Sequence, residues 1–184
     1  APSTFFDRIT SLDDKPFASA SVGQVHHAIL DGNRKVVVKV IKGDFEQTFK
    51  RDLKRLRRYF RLMLFFYPKL GRVANPLGVL RHVEQYTLAE LDLTNEIEGA
   101  QRLLSIRDNL AESFPMPRLT FPKFYPELSN QSVLVSDFIE GPTMEERLTD
   151  GKASWDNLLN LFRIQGAYVF GVGTFHGDLH PGNI

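Results

Sequence analysis

Residues 22–41 read VGQVHHAILDGNRKVVVKVI, and this stretch predicts the fold of the first part of the chain. Asp31-Gly32 between two runs rich in β-branched residues is a strong hairpin signal, so residues 22–30 and 35–41 are expected to be paired strands. The second strand is apolar except for Lys39. Taken alone, Lys39 is typical of an edge strand whose lysine reaches solvent.

The far end of the chain, residues 175–183, reads FHGDLHPGN. Asp178 followed five positions later by Asn183 is the spacing of a kinase catalytic loop, in which the Asp handles the proton of the attacking hydroxyl and the Asn ligates magnesium. With this loop downstream, phosphate binding becomes the favoured interpretation of Lys39. The sequence ends at Ile184, before the Asp-Phe-Gly element that such a loop normally needs.

Composition restricts the class of protein. With 184 residues, 42% of them hydrophobic, and a net charge of +1, we expect a soluble globular chain of one or two small domains. The absence of cysteine excludes disulfides and thiolate metal sites, and no run of about 18 apolar residues could span a bilayer. The chain begins with Ala1 rather than Met, and we interpret it as a fragment cut at both ends.

The remaining elements follow from apolar periodicity and from capping residues. A helix is predicted over 44–64, with Asp44 as N-cap and Pro68 beyond its end, and a second helical stretch over roughly 80–110. Prolines then rule out a long helix, and strands are expected at 123–125 and 132–139. Thr143 and Ser154 are plausible N-caps of two later helices, the second running from about 155 to 172. The predicted order is strands, a helix, strands and then helices, which is the α+β order of a two-lobed kinase. We expect an N-lobe with inserted helices over 1–141 and the start of a C-lobe over 142–184.

Four ordered motifs narrow the family. An alanine- and serine-rich loop with a single glycine ends in Gly-Gln-Val at residues 18–25, and a Val-x-Val-Lys strand follows at 36–39. A Glu-x-Asp motif followed by a Glu occupies 90–96, and His-x-Asp-x-His-Pro-Gly-Asn occupies 176–183. Together they resemble the UbiB/AarF family of atypical kinases, from about Pro16 to the C-terminus. Because Ala and Ser adopt positive φ less readily than Gly, the loop must approach phosphates differently from that of ordinary protein kinases.

The resemblance implies a protein-kinase-like fold that uses ATP and Mg²⁺. It makes Asp178 the catalytic-loop residue, Asn183 the magnesium ligand, Lys39 the phosphate-binding lysine and Glu96 its ion-pair partner on a helix. The hinge contact to adenine falls at Asp137 and Ile139. The loop residues implied in nucleotide binding are Ala18, Ser19, Ala20, Ser21, Val22, Gly23 and Gln24.

The acidic motif also has a geometric interpretation. In one unkinked helix, Asp92 and Glu96 share a stripe, whereas Glu90 lies roughly 120° from Glu96. Glu96 is therefore the predicted partner of Lys39, with an exposed helix carboxylate as the alternative. Glu90 and Asp92 are expected to face the nucleotide or the family's N-terminal extension, whose Lys-x-Gly-Gln motif is not in this sequence.

The implied activity of the parent protein is ATP hydrolysis or phosphoryl transfer, linked by resemblance to ubiquinone biosynthesis. We expect this fragment to be inactive alone. Two alternatives stay open: a small-molecule phosphotransferase similar to aminoglycoside or choline kinases, and a non-catalytic nucleotide-binding scaffold. A zinc site at His176 and His180 is not expected, since neither a cysteine nor a third clustered histidine accompanies them. The implied location is the cytoplasm, peripheral to the membrane, or the organellar equivalent.

The segment 50–61 is strongly basic. It holds seven of the 23 Lys and Arg residues, opposed only by Asp52, and runs into the apolar residues 62–67. This pattern fits a helix that contacts a membrane surface, lipid or quinone precursors, or an acidic partner. The alternative is a solvated helix whose apolar stripe packs on the first lobe. Nucleic acid is not an expected partner, because no recognised motif or interleaved aromatic platform accompanies the charge.

Overall fold

The computed structural model describes residues 2, 4–19, 22–175, 179 and 181. The chain forms two compact units, one of residues 1–98 with 123–138 and the other of 99–122 with 139–184. The chain passes from the first unit to the second between residues 138 and 139, and the predicted lobes over 1–141 and 142–184 stay a prediction. Residues 99–122, which the sequence placed with the first lobe, cluster with the second unit.

The first unit is built on an antiparallel sheet whose central strands are the predicted hairpin. Its described strands are β1 (Ile9–Leu12), β2 (Ala18–Ser19), β3 (Gly23–Leu30), β4 (Arg34–Ile41) and β5 (Val133–Asp137). Strands β1 and β2 both pair with β3, and β5 pairs with the other edge of β4. In the hairpin turn, Gly32 and Asn33 have φ values of 75° and 59°, a conformation that Gly and Asn adopt most readily.

Strand β4 separates two environments. Val36 and Val38 are buried on one face, in a cluster that includes Phe5 of the short helix α1 (Phe5–Arg8) and Leu128 of the 3₁₀ turn Pro126–Leu128. Because successive side chains of a strand alternate, Val37, Lys39 and Ile41 belong to the opposite face. This alternation places the lysine outside the main apolar core.

Four helices follow β4: α2 (Phe45–Phe66), α3 (Pro68–Ala74), α4 (Pro76–Glu90) and α5 (Thr94–Asn109). The prediction of a helix near 44–64 is confirmed. The single helical stretch over 80–110 is wrong, because the chain turns at residues 91–93. There the Leu93 N–H donates to the carbonyl of Gln131 at 2.9 Å, and Asp92 caps the start of α5 by accepting from the Thr94 N–H at 3.1 Å.

The second unit is helical. Helix α6 (Met144–Thr149) begins with a capping box in which Thr143 and Glu146 bond each other's backbone N–H groups. Helix α7 (Trp155–Gly166) is capped by Ser154 and continues as the π-helical segment Ala167–Val172. These caps and the predicted helix over 155–172 are confirmed. Across the described residues, no helix combines the length and the apolar character needed to cross a membrane.

The joint between α3 and α4 yields a prediction about stability. Asn75 has a φ of 37° and caps α4 by accepting from the Gly78 N–H, and a Cβ added at Gly78 would lie 2.7 Å from the Asn75 Cγ. Ala is favoured over Gly in helices by about 1 kcal/mol, but here the overlap outweighs that gain. We expect Gly78→Ala to lower the free energy of unfolding, by about 1 kcal/mol.

The Asn75→Gly variant provides the matched background for this substitution. Glycine keeps the left-handed conformation at residue 75 and lacks the side chain that would overlap the new Cβ at residue 78. There we expect Gly78→Ala to raise the free energy of unfolding by about 1 kcal/mol. Urea denaturation of the two single variants and the double variant measures the coupling. An equal effect of Gly78→Ala in both backgrounds would contradict this account.

Candidate functional site

Lys39 lies in the middle of the sheet, opposite Val25 of β3 and Leu134 of β5. Its Nζ donates to the Oε1 of Glu96 in the first turn of α5. The two side chains are 38% and 42% exposed, so a ligand can reach them. Ion pairs this exposed contribute at most about 1 kcal/mol, and the pair is therefore not what holds the helix in place.

Packing holds Glu96 in position. Leu93 is fully buried and Ile97 is 7% exposed, and both cluster with Leu134, the residue directly opposite Lys39. Burying two such side chains stabilises by roughly 3 to 6 kcal/mol, several times the contribution of the ion pair. Glu96 lies between Leu93 and Ile97 in the sequence. The apolar contacts of these two residues therefore place the Glu96 carboxylate next to Lys39.

The alanine- and serine-rich loop forms the connection of a second hairpin. Ala18 pairs with Val25, and Ser19 pairs with Gln24. Val22 lies just before that strand, and its carbonyl accepts from the Lys42 N–H at 3.0 Å. Ala20 and Ser21 lie outside the described residues.

Gly23 is required by close approach rather than by its φ angle. The residue is buried, and a Cβ added there would lie 3.0 Å from the carbonyl oxygen of Val40. That separation is shorter than a normal carbon–oxygen contact, so β3 and β4 would have to move apart at the end nearest the loop. The single glycine of the loop therefore fixes the spacing of the strand that carries Lys39.

We expect Gly23→Ala to lower the free energy of unfolding by about 1 to 3 kcal/mol, because the extra methyl group must displace strand backbone. Gly43→Ala is the matched control, since a Cβ at Gly43, two residues after β4 ends, would meet nothing within 4 Å. Urea denaturation compares the two. Equal stability of both variants would show that the strands accommodate the methyl group.

The acidic motif does not lie on one helix. Glu90 is the last residue of α4, and Asp92 lies in the turn before α5. The predicted common stripe of Asp92 and Glu96 is therefore wrong, because the Asp92 carboxylate accepts from both the N–H and the hydroxyl of Thr94. Asp92 thus defines where the helix that carries Glu96 begins.

The end of β5 has a polar network that sequence reasoning missed. Asp137 accepts a hydrogen bond from the Tyr125 hydroxyl at 2.7 Å, and that oxygen accepts from Nη1 of Arg34 at 2.9 Å. Asp137 pairs with Val36, so its carboxylate lies on the face opposite Lys39. An adenine contact at Asp137 would therefore have to use its backbone. Ile139 belongs to the second unit and is 57% exposed.

Burial raises the pKa of the Tyr125 phenol, the hydrogen bond to Asp137 acts in the same direction, and the bond from Arg34 opposes them. The folded protein therefore keeps this proton at pH values where the unfolded chain, with an ordinary pKa of 10.0, has lost it. The Tyr125 proton therefore contributes to the free energy of unfolding at pH values below the unfolded-state pKa. That contribution is lost as the pH rises through the folded-state pKa.

We expect the free energy of unfolding to fall less steeply above pH of about 10 in Tyr125→Phe than in the wild type. At neutral pH the variant should lose about 1 kcal/mol, because Asp137 and Arg34 lose a partner. Urea denaturation across the alkaline range provides both values. Tyr168, whose pKa is also raised by burial, is present in both proteins, so the difference reports Tyr125; identical slopes would contradict the assignment.

An aromatic group borders the Lys39 face. His27 lies opposite Val37, two residues before Lys39, and Phe17 stacks on its ring at 4.0 Å between centroids. Phe138 meets the same imidazole edge-on at 4.8 Å. Sequence reasoning missed this group because its members are distant along the chain. The alternation of β3 could have placed His27 on this face, but not the two phenylalanines.

The predicted catalytic loop is not described by the structure. Asp178, Asn183, His176 and His180 lie outside the described residues, so their distances to Lys39 are not part of the geometry above. Within the described ranges, no group of three or more His, Asp or Glu side chains is arranged to hold a metal ion. The described part of the candidate site therefore consists of Lys39, its carboxylate partner Glu96 and the paired strands β2 and β3 that flank the alanine- and serine-rich loop.

The chain is similar in sequence and in structure to known proteins. The sequence model described as "ABC1 atypical kinase-like domain" matches residues 3–184. Proteins named "Probable protein kinase UbiB" from Vibrio parahaemolyticus and Vibrio vulnificus are each 36% identical over 95% of this chain. The chain spans 32% of their length. A solved structure, Rv3197 of Mycobacterium tuberculosis in complex with erythromycin, matches with 31% identity and a TM-score of 0.71, covering 96% of this chain and 42% of that one.

Proposed function

The chain belongs to the ABC1 atypical kinase-like family, and we propose that the protein containing it is an ATP- and Mg²⁺-dependent kinase or ATPase of the UbiB type. The observation that carries the proposal is the pairing of Lys39 of β4 with Glu96 of α5, on the sheet in which β2 and β3 flank the alanine- and serine-rich loop. A lysine held by a helix carboxylate beside a phosphate-covering loop is the arrangement by which kinases position nucleotide phosphates.

The described residues fit a triphosphate. Lys39 supplies the positive charge, and its exposure lets the ammonium exchange part of its contact with Glu96 for a phosphate oxygen. Gly23 keeps the end of β3 that follows the loop close to β4, the strand that carries Lys39. Bound Mg²⁺ supplies neutralisation of the charge that develops on the transferred phosphoryl group.

The remaining roles are proposed from the family motif. Asn183 would hold the metal ion, whose preference is for oxygen ligands combined with phosphates and water. Asp178 would accept or orient the proton of the attacking hydroxyl or water. The proposed setting is isoprenoid quinone biosynthesis in the cytoplasm or an organelle, supported by the UbiB name of the relatives and by the four motifs.

The test measures Mg²⁺-dependent ATP binding and ATP turnover. It uses the longer protein that contains this sequence and has the length of the curated relatives. We expect Lys39→Ala to weaken ATP binding roughly 10- to 100-fold, because a charged contact to phosphate is lost. Lys50→Ala is the matched control: Lys50 is also exposed and paired with a glutamate, but it lies on α2. It should bind ATP normally.

Asp178→Asn separates chemistry from binding. Loss of a general base typically lowers a rate roughly 100- to 10,000-fold, so this variant should bind ATP and turn it over slowly. Wild-type binding without any turnover would favour the non-catalytic scaffold. Phosphorylation of an amino sugar or choline would favour the small-molecule phosphotransferase. Absence of nucleotide binding in the wild type would overturn the site assignment.

A further inference from the structure

The second unit contains a cavity of about 630 Å³ that the site around Lys39 does not use. Residues of α5, α6 and α7 line this cavity together with the segment 118–122, and all of them belong to the second unit. A volume of this size is typical of pockets that bind small molecules. The chemistry of the lining therefore indicates which class of small molecule the cavity fits.

The floor of the cavity is part of the apolar core of the second unit. Ile164 and Tyr168 are buried in that core, and both line the cavity. Leu103 and Leu119 pack against them and complete the floor. The Tyr168 hydroxyl donates to the Leu103 carbonyl at 2.9 Å, so its hydrogen is already bonded. The floor therefore offers mainly apolar surface to a ligand.

The segment 118–122 is a wall of the cavity that contacts of Arg107 hold in place. Arg107 donates to the Leu119 carbonyl at 3.2 Å. The same guanidinium lies over the Phe121 ring, 5.9 Å from its centroid. Because these contacts are internal to the protein, the wall keeps its shape before any ligand arrives.

Helix α7 presents a polar beginning and an apolar end to the cavity. The residues that do so are spaced three or four positions apart and therefore lie on one side of the helix; they are Asn157, Asn160, Ile164 and Tyr168. Asn160 is half-buried, and its amide has no hydrogen bond to another described residue. An amide can both donate and accept, so Asn160 is able to bond the polar part of a ligand.

The charge of the lining is positive. Among the described residues that line the cavity, two are cations, Arg118 and Arg147, and none is Asp or Glu. Arg118 pairs with Asp156 of α7. Arg147 of α6 is half-buried and, within the described ranges, has neither an ion pair nor a side-chain hydrogen bond. Partial burial of an unpaired charge is unfavourable, and an anionic group in the cavity would relieve that cost.

We infer that this cavity binds an amphipathic organic anion, a molecule with a carboxylate or sulfonate on an apolar ring body. The planar guanidinium of Arg147 offers two parallel donors to such a group. The ring body would cover the apolar floor, and Asn160 would bond a remaining polar atom. A cationic ligand fits less well, because it would meet Arg147 and no carboxylate of the lining.

The experiment uses two fluorescent dyes that differ by one group. The dye 8-anilinonaphthalene-1-sulfonate carries an anion, and N-phenyl-1-naphthylamine has the same rings without it. Each dye is titrated, without nucleotide, into the longer protein that contains this sequence. We expect the sulfonate to bind more tightly than the neutral dye, with an affinity that falls as salt rises. The carboxylate 1-naphthoate should displace it.

Arg147→Gln should weaken binding of the sulfonate roughly 10-fold or more, because a charge-assisted contact is lost, and should leave the neutral dye unaffected. Arg147→Lys keeps the charge and should retain part of the affinity. Arg163→Gln is the matched control, since it removes an exposed cation of α7 that does not line the cavity. Leu161→Ala shortens a half-buried side chain of the lining and should weaken both dyes. Circular dichroism checks the folding of each variant.

Selective loss of the sulfonate in Arg147→Gln, with normal binding of both dyes in Arg163→Gln, supports the proposal. Equal affinity of the two dyes for the wild type would overturn it. Unchanged affinity of the sulfonate in Arg147→Gln would also overturn it and would assign the dye to another site. Because neither nucleotide nor Lys39 takes part in these measurements, failure here leaves the proposed kinase function untouched.

Discussion

The packing of Leu93 and Ile97 against Leu134 is the contact on which the candidate site depends. It fixes the first turn of α5 on the face of the sheet that carries Lys39. Glu96 lies between the two apolar residues in sequence, and its carboxylate reaches the lysine because they are buried. The exposed ion pair is weak by comparison, so the geometry is set by apolar burial and is then available to a ligand that competes for the lysine.

Strand register is the second constraint. Val36 and Val38 are buried in the main core, and Lys39 lies on the other face because side chains alternate along a strand. A slip of one residue would bury the lysine and expose the valines, which makes the observed register strongly preferred. Gly23 adds to this by allowing the loop end of β3 to lie against the Val40 carbonyl. The loop, the lysine and the helix carboxylate are therefore positioned by one sheet.

Two lysines of the first unit occur in similar ion pairs but in different surroundings. Lys39 and Lys50 each pair with a glutamate at the surface, yet Lys39 lies on a central strand of the sheet whereas Lys50 lies on helix α2. Function is inferred from the setting of each charge rather than from the charge alone.

The sequence by itself determined the features that depend on local signals. Asp31-Gly32 between β-branched runs specified the hairpin, apolar periodicity specified α2, and Thr143 and Ser154 specified two helix starts. The four ordered motifs were also present in the sequence, and the family was inferred from their resemblance to those of known members. These signals act within a few residues, so they need no knowledge of the rest of the chain.

Only the tertiary structure decided the rest. The turn at residues 91–93 depends on the Gln131 carbonyl, which accepts from Leu93 across a long separation in sequence. The Arg34–Tyr125–Asp137 network and the Phe17–His27–Phe138 group likewise join distant residues. Strands β1 and β2, of four and two residues, are too short for a periodic pattern and exist because β3 offers them an edge. Long-range pairing has no signature in any single segment, and it settled which side chains meet.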